Sequence, residues 1–137
     1  MTNREKKAGR ATGLTQRDAA TAYAKAWNRL DPGEFIDMLS PDVRYSSQWV
    51  LEDLHGKKAL ADYLRGKMAT VKKSAATVYA EVAQIGTGDP CVLLAQGNRD
   101  DVNALVLFTV DQNKVTGFDM CIPDLYGSNI RSGMYPS

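Results

Sequence analysis

ATVYAEVAQIGTGDPCVLLAQGNRDDVNALVLFTVDQNKVTGFDMCI, residues 76–122, is the stretch that decides the fold. It divides into four runs rich in β-branched and apolar residues, at 76–86, 91–98, 102–110 and 115–122. Between them lie short joints: Thr87-Gly88-Asp89-Pro90, the polar stretch around Arg99-Asp100-Asp101, and Asp111-Gln112-Asn113-Lys114. Residues of these types supply the backbone conformations that reverse a chain. Parallel pairing needs a crossover of a dozen or more residues, so strands joined this closely form an antiparallel meander.

Upstream of the meander the periodicity changes from two to about three and a half. Thr15 and Asp18 have the spacing of a capping box, with an acid in the first turn that suits the helix dipole. Ala20, Tyr23, Trp27 and Leu30 then recur at spacings of three and four, which makes one apolar helical stripe, and Lys25 and Arg29 fall outside it. Asp31-Pro32-Gly33-Glu34 signals a second, short helix with Phe35, Ile36, Met38 and Leu39 on its buried face, closed by Ser40-Pro41. Residues 43–49, VRYSSQW, alternate: Val43, Tyr45, Ser47 and Trp49 share one face, Arg44, Ser46 and Gln48 the other. After a loop at 50–56, residues 57–73 carry the stripe Leu60, Leu64, Met68 and Val71, with lysines on the flank and Lys72 and Lys73 at the C-terminal end.

Helices first and a meander last, with one strand between, predict an α+β domain at residues 15–137. The predicted form is a curved antiparallel sheet wrapped as a cone around the N-terminal helices. Residues 1–14 carry Arg4, Lys6, Lys7 and Arg10 with little apolar surface, and are expected to be a flexible basic tail. The residues 123–137 include Leu125, Tyr126, Ile130, Met134 and Tyr135, and are expected to lie irregularly against the body.

Composition narrows the function classes. The 137 residues carry 17 basic and 16 acidic side chains, a net charge of +1, which provides no global field to recruit nucleic acid or an anionic membrane. The N-terminus lacks the apolar segment of a secretory signal and no run has the length of a membrane span, so a cytoplasmic location is expected. Cys91 and Cys121 lie in apolar strand-like runs and read as a buried, reduced pair. With His55 as the one histidine, no metal site is expected. No nucleophile elbow, phosphate loop or cofactor motif appears, and the glycines of 86–88 belong to a hairpin.

The segments YAKAWNRLDPGEFIDMLSPDVRYSS (23–47) and GKKALADYL (56–64), in this order of elements, resemble the nuclear transport factor 2-like (SnoaL-like, ketosteroid isomerase-like) superfamily. The resemblance implies a cystatin-like α+β roll, a concave apolar pocket and homodimers paired through open sheet faces. It covers about residues 16–122 in architecture. In the isomerase branch, the tyrosine that donates to an oxyanion falls on Tyr23, the carboxylate general base on Ser47, and the second donor near Val106. A serine hydroxyl cannot shuttle protons near neutral pH without its own base, so that mechanism is not expected here. Nor does alternation place inside the cone the two carboxylates and arginine of the epoxide hydrolase branch; Asp119 falls on the outer face, between the inward Phe118 and Met120.

The predicted ligand-lining set is therefore Tyr23, Trp27, Tyr45, Ser47, Trp49, Val106, Phe108, Phe118 and Met120. Taken singly, Tyr23, Trp27, Tyr45 and Trp49 each read as core packing; converging near one mouth, the large aromatics offer area with a polar handle. Tyr23, His55 and Asp119 are the candidate acid/base residues, with Asp53 placed to orient His55. Three functions remain open: a protein that binds a small hydrophobic molecule, an isomerase, dehydratase or cyclase with an atypical acid/base, or an interaction module with a vestigial pocket.

Overall fold

The computed structural model describes residues 13–49, 52–127 and 129–137. The basic stretch 1–14 lies outside the described residues except for its last two. Helix α1 (Gln16–Arg29) opens with the capping box: the Thr15 hydroxyl accepts from the Asp18 N–H and the Asp18 carboxylate accepts from the Thr15 N–H, both at 3.0 Å. Helix α2 (Gly33–Asp37) follows, its entry held by the Asp31 carboxylate accepting from the Gly33 N–H at 3.1 Å. Strand β1 (Leu39–Ser47) and strand β2 (Glu52–His55) precede the long helix α3 (Lys57–Ser74). The meander is β3 (Val78–Ile85), β4 (Pro90–Gln96), β5 (Val102–Asp111) and β6 (Lys114–Cys121). A 3₁₀ turn (Pro123–Tyr126) leads into β7 (Asn129–Met134).

One curved, unclosed sheet contains all seven strands in the order β2-β1-β6-β5-β4-β3-β7. The meander pairs antiparallel throughout, and Gln112 and Asn113, at φ 50° and 65°, make the tight β5–β6 reversal. The expected all-antiparallel sheet needs one correction: β1 lies parallel to β6, with Tyr45 beside Phe118 and Ser47 beside Met120, so the sheet is mixed. The chain between them, α3 and four strands, is long enough for the crossover that parallel pairing requires. Two further strands were not expected. The segment read as a loop contains β2, which turns back on β1, and the irregular tail contains β7, which adds to the free edge of β3. Register shifts interrupt the ladders in β1, β4, β5 and β3, and such bulges bend and twist a sheet.

The concave face holds the core. Helix α1 lies across β3, β4 and β5, brought close by the buried small side chains Ala19, Ala20, Ala22, Ala24 and Ala26, while α3 covers β1 and β2. Tyr23, Phe35, Phe108 and Phe118 interlock edge to face and tilted, with ring centroids 5.1 Å apart for Tyr23–Phe35 and 5.3 Å for Phe35–Phe118. The convex face carries a second apolar cluster, Ala83, Cys91, Leu93, Leu105 and Cys121. Both thiols are free and buried. Strand β5 separates β4 from β6, and Cys121 is in register with Leu93 rather than Cys91, so the two backbones stand more than two strand spacings apart, over roughly 9.5 Å and beyond disulfide reach. Among the described residues no helix is long and apolar enough to cross a membrane.

Two polar clamps fasten the C-terminal edge. Asn28 of α1 accepts from the Ala80 N–H and donates to the Ala80 carbonyl, both at 2.8 Å, and also donates to the Pro136 carbonyl. Its amide thereby replaces the peptide that a neighbouring strand would offer β3 beyond the end of β7. Glu81, buried on the convex side, accepts from Arg131 Nε at 2.9 Å, Tyr135 Oη at 3.0 Å and the Gly133 N–H at 2.8 Å. Burial alone would raise the Glu81 pKa, but the bonds from Arg131, Gly133 and Tyr135 outweigh it and hold the carboxyl below its ordinary value.

Asn28→Ala is expected to cost about 2–3 kcal/mol in denaturant unfolding, because it strands two backbone groups of Ala80. The depressed Glu81 pKa makes its contribution fully present above the ordinary value of 4.5, and lost as pH falls through the lower folded value. Thermal unfolding of Glu81→Gln should therefore show lower stability at neutral pH and a shallower fall below pH 4.5 than the parent chain shows.

Candidate functional site

Between α1, α3 and the concave sheet lies a cavity of about 240 Å³. Helix α1 supplies Tyr23 and Trp27 one turn apart on its apolar stripe, and α3 supplies Tyr63, Leu64, Lys67 and Val71. The sheet contributes Tyr45 from β1, Val78 from β3, Leu94, Ala95 and Gln96 from β4, Asn103 and Ala104 from β5, and Phe118 and Met120 from β6. The cavity exists because α1 and α3 lean on different parts of the sheet. Where α3 departs from β1, Tyr45 and Tyr63 meet with centroids 5.4 Å apart, and the space beyond them toward β4 and β5 stays unfilled.

The polar groups of the wall are few. Burial first of all raises the Tyr23 pKa, opposed by the Trp27 indole N–H beside its hydroxyl and aided by Tyr63. Burial, then the Tyr63 hydroxyl, raise Tyr45. Both phenols consequently stay protonated at any ordinary pH and act as neutral hydrogen-bonding groups. The Tyr45 hydroxyl points to the Met120 sulfur at 3.8 Å. Lys67 places its ammonium 5.6 Å from the Tyr63 ring centroid, a cation–π contact four residues along the helix. Gln96 and Asn103 are exposed and mark the open side.

Of the positions expected to line the hollow, Tyr23, Trp27, Tyr45, Phe118 and Met120 do so. Val106 and Phe108 are buried in the core behind them, Phe108 packed edge-on to Tyr23 at 5.3 Å. Ser47 is buried but outside the lining, its hydroxyl accepting from the Trp49 N–H at 3.2 Å. Trp49 corrects the expectation of an inward ring: β1 ends at Ser47, the chain turns, and the indole is 52% exposed. Alternation holds only while the strand lasts.

The acid/base candidates do not converge. His55 and Asp53 are both exposed on β2, and neither reaches the cavity. Asp119 is exposed on the convex face, where its carboxylate accepts from the Ser46 hydroxyl. A polar groove there gathers Asp42, Arg44, Asp111 and Asp119, on the opposite side of the sheet from the aromatic core. Among the described residues no group of three or more His, Cys, Asp or Glu is arranged to hold a metal ion. The Cys91 thiol, pushed up to about 12 by burial with smaller pushes from Glu81 and Cys121, is no nucleophile. Sequence reasoning missed Tyr63 and Lys67. Their spacing of four put them on one helix face, but that face adjoins the Leu60–Leu64 stripe and gave no sign of meeting β1.

The sequence matches no family model and no curated protein. Solved structures do match in shape. A SnoaL-like protein of unknown function from Burkholderia thailandensis superposes with TM-score 0.58 at 16% identity, over 79% of this chain and 96% of that one. An NTF2-like protein of unknown function from Cytophaga hutchinsonii gives TM-score 0.56 at 12% identity, over 80% and 90%. The epoxide hydrolase/cyclase-like enzyme SalBIII, described in pyran ring formation of the polyether salinomycin, gives 0.57 at 14% identity, over 85% and 95%. Mixed seven-stranded sheet, helices on its concave face and these neighbours together identify the fold: the chain has the nuclear transport factor 2-like, SnoaL-like α+β fold.

Proposed function

We propose that this protein binds a small, largely apolar molecule in the cavity between α1, α3 and the sheet. The observation that carries the reading is the lining itself. Tyr23, Trp27, Tyr45, Tyr63 and Phe118 supply aromatic area, Leu64, Val71, Val78, Leu94 and Met120 the rest, and no carboxylate or histidine stands among the described lining residues. A concave apolar site with a few fixed polar groups suits a compact hydrophobic ligand. Proton-transfer chemistry of the isomerase or cyclase kind needs a group that titrates near the working pH. The titratable groups whose shifts are resolved in this wall, Tyr23 and Tyr45, are instead driven far above it. Likeness to SalBIII keeps an enzyme reading in view, but the candidate bases His55 and Asp119 lie outside the cavity.

A panel of bicyclic hydrocarbons and ketones should quench Trp27 fluorescence in a Trp49→Phe background and raise the unfolding temperature. Ala104→Leu, which extends a wall residue into the cavity, should weaken binding by about tenfold. Absence of quenching across the panel, with the protein folded, would rule the reading out.

The convex face supports a second reading, self-association. Its apolar cluster is flanked by the half-buried Ile85, Val102, Leu107 and Tyr126, and Leu125 of the 3₁₀ turn stands 67% exposed nearby. We propose that two copies pair through this face. Sedimentation at micromolar concentration should show a dimer that Leu107→Lys dissociates; the new ammonium would sit cross-strand from Asp119, which limits any folding penalty. A strictly monomeric parent chain would refute the pairing.

A further inference from the structure

Among the described residues the cavity wall holds one charged side chain, Lys67, and it is exposed, as are the amides of Gln96 and Asn103 on the open side. Within the described structure Lys67 pairs with no acid. The residues three and four places away on α3 are Tyr63, Leu64, Thr70 and Val71, and the ion pairs go to Lys25, Lys58 and Arg131. The Lys67 ammonium lies instead over the Tyr63 ring, 5.6 Å from its centroid, on the same wall. Asn103 reaches the cavity through a bulge. Leu94 faces Ala104 and Ala95 faces Val102, which leaves Asn103 as the extra residue of β5. Val102 and Leu105 both pack on the convex cluster, so Asn103 and Ala104 between them both line the cavity. Strict alternation would have sent Asn103 to the convex face.

We infer that the cavity's ligand is an apolar acid, its hydrocarbon body inside and a single carboxylate at the mouth against Lys67. The inference rests on the binding reading above and adds the chemical class of the ligand and the residue that selects it. An ionised group has no place deeper in, where the wall offers aromatic and aliphatic carbon and neutral hydroxyls. At the mouth it keeps part of its hydration and meets the cation of the wall. One cation suits a monoanion; a phosphate monoester, with a charge of about −2, would be left half compensated. The two carboxylate oxygens can accept from the ammonium and from an amide N–H of Asn103 or Gln96 at once.

The test is calorimetry on the full chain with adamantane-1-carboxylate, adamantane-1-carboxamide and adamantan-1-amine, which share one apolar body and differ in the charge of the head group. At low salt the carboxylate should bind about fivefold tighter than the carboxamide, the worth of one exposed charge pair, and the amine should bind weakest. Added salt should narrow that gap, because Lys67 is exposed. Lys67→Met keeps an apolar stem over the wall and removes the charge, so acid and amide should then bind alike. Lys67→Glu should turn the preference toward the amine. Equal binding of acid and amide to the parent chain, or a preference for the acid that survives in Lys67→Met, would overturn the acid assignment and leave the cavity reading standing. No binding of any of the three would remove that reading and this inference with it. The parent chain's own ratio and its salt dependence decide the matter even if a variant fails to fold.

Discussion

Phe118 is the point at which the fold is tied. Its ring touches Tyr23 of α1, Phe35 of α2, Tyr45 of β1 and Phe108 of β5, with centroid separations from 4.9 Å to 6.5 Å. All but Phe108, its hairpin partner, come from elements distant in sequence, and the arrangement that satisfies all of them at once is the mixed sheet. Tyr45 reaches Phe118 because β1 lies parallel to β6 with those two residues side by side. Aromatic pairs of this geometry add to area burial and are particular about angle as well as distance. That constraint fixes where β1 docks, and β1 in turn fixes where α3 sits.

The cavity follows from the same constraint. Alanines let α1 settle onto β3, β4 and β5, while α3 follows β1 and β2. Two helices committed to different strands cannot close the space between them, and at that seam Tyr63, Val71 and Met120 are only half-buried and Lys67 is exposed. A close-packed core and an open hollow therefore share one set of residues. Tyr23 and Phe118 belong to both. Substitutions there would change stability and binding together, which is why wall positions such as Ala104 are the cleaner probes.

The C-terminal edge is handled differently, by polar rather than apolar means. Glu81 on β3 gathers Arg131, Gly133 and Tyr135 from the last segment, and Arg131 reaches on to Asp100 at 3.0 Å in the β4–β5 connection. Arg99 stacks over Tyr135 and Tyr79, 4.7 Å and 5.4 Å from the two ring centroids. A bare edge on β3 would offer unpaired backbone to any passing strand. Strand β7 and the Asn28 amide cover it between them, and the buried carboxylate makes the cover specific in register.

Much of this was legible in the residues alone. The Thr15–Asp18 box, the α1 and α3 stripes, the four runs of the meander and the outward Asp119 all depend on local periodicity and capping chemistry, which act over a few residues and need no knowledge of what lies across from them. The resemblance carried by residues 23–47 and 56–64 pointed to the fold that the structure has. Other features belong to the tertiary structure: the parallel docking of β1 on β6, the conversion of a loop and a tail into β2 and β7, the outward swing of Trp49 once β1 ends, and the meeting of Tyr63 with Tyr45. Each depends on which distant backbone is near, and a pattern of period two or three and a half cannot encode that.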